Sequence, residues 1–347
     1  MSSFATQTPK VREQFFRQYQ SLKGIDPVIV EKDFWVCWLL ARIFEHPQLS
    51  GTCLFKGGTS LSKVFHAIER FSEDIDLGIT PASLGWSEND LDEAPSRTKR
   101  EERNALLEKA CAATVENTWQ PTLEKQLQEI LGKPAGHTTW LSYRMDEASH
   151  SPTLFFTYPG ALPRGAVAYI AREVKIEFGS LTDQRPIGKH PVQAFVGELA
   201  PGAFDDFRTE VVALELERTF WEKATILHAE FHRPADKPIK DRYARHYADF
   251  AALWRLEAAI PARSRFDILE RVRTHKTRFF STKWANYATA TPGTIRLVPP
   301  ESRIQSLKTD YEAMAQMFTG TPLSFEQIMH TLGEAERALN KEPVPKG

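Results

Sequence analysis

Cysteine is scarce. The 347-residue chain carries three, Cys37, Cys53 and Cys111, an odd number with no C-x-x-C spacing. That argues against a disulfide scaffold and a thiolate zinc site, and favours a reducing, cytoplasmic compartment. Charge of one sign is also missing in bulk. Lys and Arg number 44 against 45 Asp and Glu, a formal net charge of −1, so no global basic field announces nucleic acid. Long hydrophobic runs are absent too. The most apolar stretch, 34–44, is interrupted by Arg42 and is far too short to span a bilayer. The opening MSSFATQTPKVREQ lacks the apolar segment of a signal peptide. There is no internal repeat and no low-complexity tract. What is present is ordinary: 41% hydrophobic and 26% charged residues, with length enough for two domains.

Periodicity predicts helices over 9–21 and 26–46, the second opened by Asp26 as N-cap and Pro27 at the first helical position. A short buried strand follows at 52–56, then Gly57-Gly58, a short helix to about 66, and a strand at 73–79. Residues 80–97 read as a loop, and 96–131 as a long helical region broken near Pro121. A hairpin is expected from 138–146 and 152–158, a strong strand over 166–178, and a further strand near 209–216. From Glu217 onward the pattern is helical, over 217–231, 243–257, 263–276, 303–318 and 324–340. The shift from mixed to nearly all-helical near residue 215 marks the expected boundary between domains 1–215 and 216–347.

The densest chemistry lies in 54–79, LFKGGTSLSKVFHAIERFSEDIDLGI. Side chains alternate across a strand, so Asp74 and Asp76 share one face and Ile75, Leu77 and Ile79 the other. Two carboxylates this close raise each other's pKa and call for a cation. Oxygen ligands of this kind suit Mg²⁺ (or Mn²⁺), which accepts substrate phosphates as further ligands. In Lys56-Gly57-Gly58-Thr59-Ser60 the glycines permit close approach of a phosphate, and Thr59 and Ser60 add hydroxyl donors. The same turn is also common as plain structure. In Glu173-Val174-Lys175-Ile176-Glu177-Phe178 the apolar residues face one way. Glu177 supplies a third carboxylate if this strand neighbours the acidic one, and is otherwise part of a surface Lys/Glu face. Lys223 borders the apolar stripe Phe220, Ala224, Leu227 and Phe231. Arg245 and Asp249, four apart, read from the local pattern alone as an ordinary exposed pair.

KGGTSL (56–61), RFSEDIDL (70–77), VKIEF (174–178), FWEKATILH (220–228) and RYARHYADFAAL (242–253) together resemble the AbiEii/AbiGii toxin family, to which the MenT toxins are related. These are nucleotidyltransferase-like toxins of type IV toxin–antitoxin and abortive-infection systems, within the polymerase-beta-like nucleotidyltransferase superfamily. The resemblance covers most of the chain. It implies an α+β fold, with a polymerase-beta-like core of mixed sheet flanked by helices and a mostly helical C-terminal domain. By the same resemblance Asp74, Asp76 and Glu177 hold metal, and Asp74, Asp76, Glu177, Lys223 and Asp249 are catalytic. The nucleotide lies on Lys56, Gly57, Gly58, Thr59, Ser60, Ser72, Lys223 and Arg245. The family often has Asp where Glu177 stands, and His246 is a second departure.

The implied reaction transfers a nucleoside monophosphate from an NTP to an acceptor with release of pyrophosphate. Relatives point to the 3′ end of tRNA as acceptor and to a cognate antitoxin that forms no stable complex with the toxin. Arg233, Lys237, Lys240, Arg242 and Arg245 either contact RNA phosphates or form a solvated loop. The alternatives are transfer to a small molecule or protein hydroxyl, phosphotransfer on the same fold, and a nucleotide-binding module without turnover.

Overall fold

The computed structural model describes residues 1–87, 96–147, 150–163, 171–199, 207–280 and 282–341. The chain divides into two compact units, one of residues 1–64 and 72–213, the other of 65–71 and 214–347.

The first unit is built on a mixed seven-stranded sheet. Its strands are β1 (Cys53–Lys56), β2 (Ile75–Ile79), β3 (Leu141–Met145), β4 (Pro152–Thr157), β5 (Glu173–Gly179), β6 (Ile187–Gln193) and β7 (Arg208–Leu214), in the order β3-β4-β5-β2-β1-β7-β6. The acidic strand β2 is therefore central, antiparallel to β1 and parallel to β5. Its apolar partners Ile75, Leu77 and Ile79 are buried, as are Val174, Ile176 and Phe178 of β5. Burial of one strand face fixes the register, because a one-residue slip would bring the carboxylates into the core.

Helices α1 (Pro9–Lys23) and α2 (Pro27–Phe44) belong to this unit. Asp26 caps α2, accepting from the Val28 amide at 2.8 Å, with Pro27 at the first turn as the sequence predicts. Every residue of α2 except Arg42 is buried. The charged triplet Glu31-Lys32-Asp33 is accommodated because each member finds a partner. Lys32 pairs with Glu73 at 2.6 Å, Asp33 takes the Phe195 amide at 2.7 Å, and Glu31 takes the Ala161 amide at 2.5 Å.

Three sequence expectations need correction. The helical region does not break at Pro121. The short helix Gly57–Lys63 that starts at the glycine pair is α3, and helix α4 (Arg97–Thr114) passes through a π-helical turn at Val115–Trp119 into α5 (Gln120–Leu131). A widened turn immediately ahead of Pro121 accommodates the missing amide and the ring without ending the helix. Strand β6 was not expected. Its sequence IGKHPVQ shows no alternation, and Pro191 is tolerated because β6 lies at the sheet edge. The strand expected over 166–178 begins at Glu173, and 164–170 lie outside the described residues, as do 88–95 of the expected loop.

The second unit is helical: α6 (Leu216–Phe231), α7 (Ala244–Arg255), α8 (Phe266–Phe279), α9 (Glu301–Ala313) and α10 (Phe325–Lys341). Acidic side chains tie its loops to its helices. Asp310 accepts the Arg242 and Ala244 amides at 2.6 and 2.7 Å, and Glu336 accepts those of Leu297 and Val298. Residues 65–71 join this unit through backbone bonds, Phe71 N–H to the Met317 carbonyl at 2.6 Å and Thr319 N–H to that of Glu69 at 2.9 Å. No helix among the described residues is long and apolar enough to cross a membrane.

Candidate functional site

In the first unit, Asp76 on β2 is flanked in register by Lys56 of β1 and Glu177 of β5. Register partners project from the same sheet face, so these three form a row. Asp74 leads into the strand two residues earlier. Burial, then the charges of Asp76 and Glu73, push the Asp74 carboxyl up to about 7, with Lys175 and Lys32 partly opposing. An acid held at that cost fits a divalent cation, and the donor set of Asp74 and Asp76 is hard oxygen.

Glu177, beside Asp76 in register, has a partner of its own. Its carboxylate is ion-paired with Lys175, two residues away on the same strand face, and Lys175 also reaches Asp146 at 2.8 Å. Among the described residues no three His, Cys, Asp or Glu side chains are grouped to hold one ion. Of the expected trio Asp74, Asp76 and Glu177, the third acid is thus held by an ammonium on its own strand.

The glycine turn is shaped around the acidic strand. Gly57 has φ +83°, and a Cβ there would fall 2.0 Å from Asp76 Oδ2, so only glycine satisfies both the backbone and the approach of the carboxylate. Gly58 follows in the first turn of α3, and Lys56 precedes it in extended backbone. The hydroxyls expected to donate to phosphate are used internally. Thr59, fully buried, donates to the Asp74 carbonyl and lies 2.9 Å from Ser72 Oγ. Ser60 donates to the Gly57 carbonyl at 2.9 Å. These bonds brace the glycine turn against the acidic strand, and leave the backbone of Gly57-Gly58 and the Lys56 ammonium as the phosphate-facing candidates.

In the second unit, α6 and α7 bring Lys223 and Asp249 together at 2.7 Å, both buried. Arg70 completes the arrangement with a two-point contact, Nε at 2.7 Å and Nη2 at 2.9 Å from the two Asp249 oxygens. Burial alone would raise the Asp249 carboxyl; Arg70 and Lys223 override it and hold Asp249 well below the usual carboxylate range. Burial, with the Arg70 and Arg245 charges, draws Lys223 below the ordinary lysine value against the pull of Asp249. His246 Nδ1 is 3.2 Å from the Lys223 ammonium, and burial and that cation keep its imidazole neutral. Asp249 is therefore not the exposed partner of Arg245. Arg245 is half-buried and acts on this cluster through its charge. A cavity of ≈ 390 Å³ opens beside the cluster, bounded by Arg70, Asp249, His66, Arg255, Tyr311 and Phe318 among others.

Arg70 and Lys32 were not among the expected site residues. The signal for Arg70 was its place at the head of RFSEDIDL; the signal for Lys32 was a charged triplet inside an apolar helix, which has to be paired.

No curated protein matches the sequence. Among solved structures, MenT4, a nucleotidyltransferase toxin from Mycobacterium tuberculosis H37Rv, is similar at 13% identity over 89% of this chain and 99% of that chain, with a TM-score of 0.30. A superposition that loose carries no weight for the site. The profile of the family described as nucleotidyl transferase AbiEii toxin, type IV toxin–antitoxin system, matches residues 38–331, which include both the acidic strand and the Lys223 helix. The chain belongs to the AbiEii family of nucleotidyltransferase toxins.

Proposed function

We propose that this nucleotidyltransferase moves a nucleoside monophosphate from an NTP to the 3′ end of tRNA in a metal-dependent reaction that releases pyrophosphate. The observation that carries the metal dependence is the Asp74/Asp76 pair, kept together in a partly desolvated site where the Asp74 carboxyl is pushed up to about 7. When bound there, Mg²⁺ or Mn²⁺ supplies charge neutralisation to the phosphoryl oxygens. Gly57 lets the chain approach the acids closely, and the Thr59 bond to the Asp74 carbonyl fixes the position from which Asp74 presents its carboxylate. Lys223 is the cation assigned to the triphosphate by family resemblance; Asp249, itself clamped by Arg70, fixes where that ammonium stands. In this reading Glu177 is the third acid, and Lys56, Gly58, Ser72 and Arg245 contribute to nucleotide binding.

An RNA acceptor is supported by the loop after α6. Arg303 donates to the carbonyls of Pro234 and Lys237, each at 2.7 Å, and so fixes that loop. Arg233 and Lys237 stand over the Trp284 ring at 4.6 and 5.9 Å, and Lys237 and Lys240 are exposed. Cations beside an aromatic ring suit a nucleic-acid strand. The family places a separately encoded antitoxin beside the toxin, and three buried free thiols suit a reducing cytoplasm.

The test is incubation of the protein with α-labelled NTPs, Mg²⁺ and either total RNA or total protein. Label is expected in RNA of tRNA length. Label confined to protein would overturn the RNA acceptor, and release of nucleoside diphosphate in place of pyrophosphate would overturn nucleotidyl transfer.

A further inference from the structure

Lys175 is a cation shared between two acids beside the acid row. It shares a face of β5 with Glu177, and its ammonium is paired with the Glu177 carboxylate and, at 2.8 Å, with Asp146 Oδ2. Its charge also acts on Asp74. The side chains of Lys175, Glu177 and Asp146 are 21%, 21% and 16% exposed, so the contacts are partly desolvated yet within reach of solvent. The two acceptors differ in kind. Glu177 belongs to the row with Asp76. Asp146 lies in the β3–β4 hairpin, where its own amide donates to Ser151 and its carbonyl accepts from His150, both at 2.9 Å. One flexible lysine stem therefore serves an acceptor inside the acid row and another anchored outside it.

We propose that Lys175 is a positioning residue, the resident counter-ion of the acid row. It holds Glu177 while no divalent ion is bound, and withdraws onto Asp146 to free the Glu177 carboxylate when the ion is loaded. The inference rests on the metal-dependent reading above. It explains why the acids are not grouped as a ligand set here, and it gives Asp146 a role outside any ligand set.

Its consequences for metal binding have opposite signs at the two partners. Lys175→Met removes a cation that competes for the acids, so the site takes a divalent ion more tightly. Asp146→Asn removes the refuge, so Lys175 stays on Glu177 and the ion binds less tightly. A merely structural role for this triad would weaken binding in both variants or in neither. The experiment titrates the full-length wild type and each variant with Mn²⁺ alone, reading free Mn²⁺ by electron paramagnetic resonance. The expected dissociation constant falls about tenfold in Lys175→Met and rises several-fold in Asp146→Asn. Lys175→Gln serves if the methionine variant does not fold. As a second readout, metal-free Lys175→Met melts lower than wild type and gains more from Mn²⁺. Affinity unchanged or reduced in the Lys175 variant, or unchanged or increased in Asp146→Asn, overturns the proposal. Failure of the wild type to bind Mn²⁺ at millimolar concentration overturns the metal reading itself, a different outcome from a binding wild type whose variants do not split.

Discussion

At Asp74, the chemistry and the stability of the fold oppose each other. Its carboxyl ionises near 3.8 when unfolded and near 7 in the fold, chiefly through burial. Between these values the folded chain holds a proton that the unfolded chain has lost, so this group makes stability fall as pH rises from about 4 to about 7. Asp74→Asn removes that dependence. In urea unfolding of the metal-free proteins at pH 8, the variant is expected to be about 2–4 kcal/mol more stable than wild type, and to lose the stabilisation that Mg²⁺ gives wild type. A variant no more stable than wild type would show that the acid pair carries no such strain. Gly57 gives the reverse case. Gly57→Ala meets both a positive φ and the Asp76 carboxylate, and is expected to cost about 1–3 kcal/mol in the same measurement. Alternation showed that Asp74 and Asp76 share one strand face, and that Lys175 and Glu177 share another. It could not show that Lys175 holds Glu177, because alternation fixes the side of a strand and not the rotamer of a long side chain.

Among the elements, those with strong apolar periodicity were legible, and so was the start of α2, where Asp26-Pro27 offers a cap and a preset φ. The π-turn before Pro121 and the edge strand β6 were not. A proline in a pattern signals a disturbance without saying whether the helix ends or widens, and an edge strand needs no alternation. The Arg70–Asp249–Lys223 cluster was legible in part. Lys223 and Asp249 were identified, but Asp249 was given an exposed partner because i, i+4 spacing exposes only local pairings. The cluster has a measurable energetic signature. Asp249→Ala leaves two buried cations without their acid and is expected to cost about 3–5 kcal/mol in chemical denaturation. Lys223→Met leaves the two-point Arg70 contact in place and is expected to cost less. Equal losses in the two variants would mean that Arg70 does not hold Asp249 by itself.

For the whole molecule, the composition shift near residue 215 pointed to the passage from mixed sheet to helices. The inclusion of 65–71 in the helical unit was not visible in the sequence, since it depends on Arg70 bridging Phe318, 248 residues away. The acidic strand and the lysine helix thus sit on separate units, and the family profile spans both. The most direct test of the acid pair is pyrophosphate release from NTP and RNA by wild type and by Asp76→Asn, each with an unchanged circular dichroism spectrum. Wild type is expected to release pyrophosphate only with Mg²⁺ or Mn²⁺, and Asp76→Asn to fall at least about a hundredfold. Release by the variant at the wild-type rate, or by wild type in excess chelator, would contradict the account.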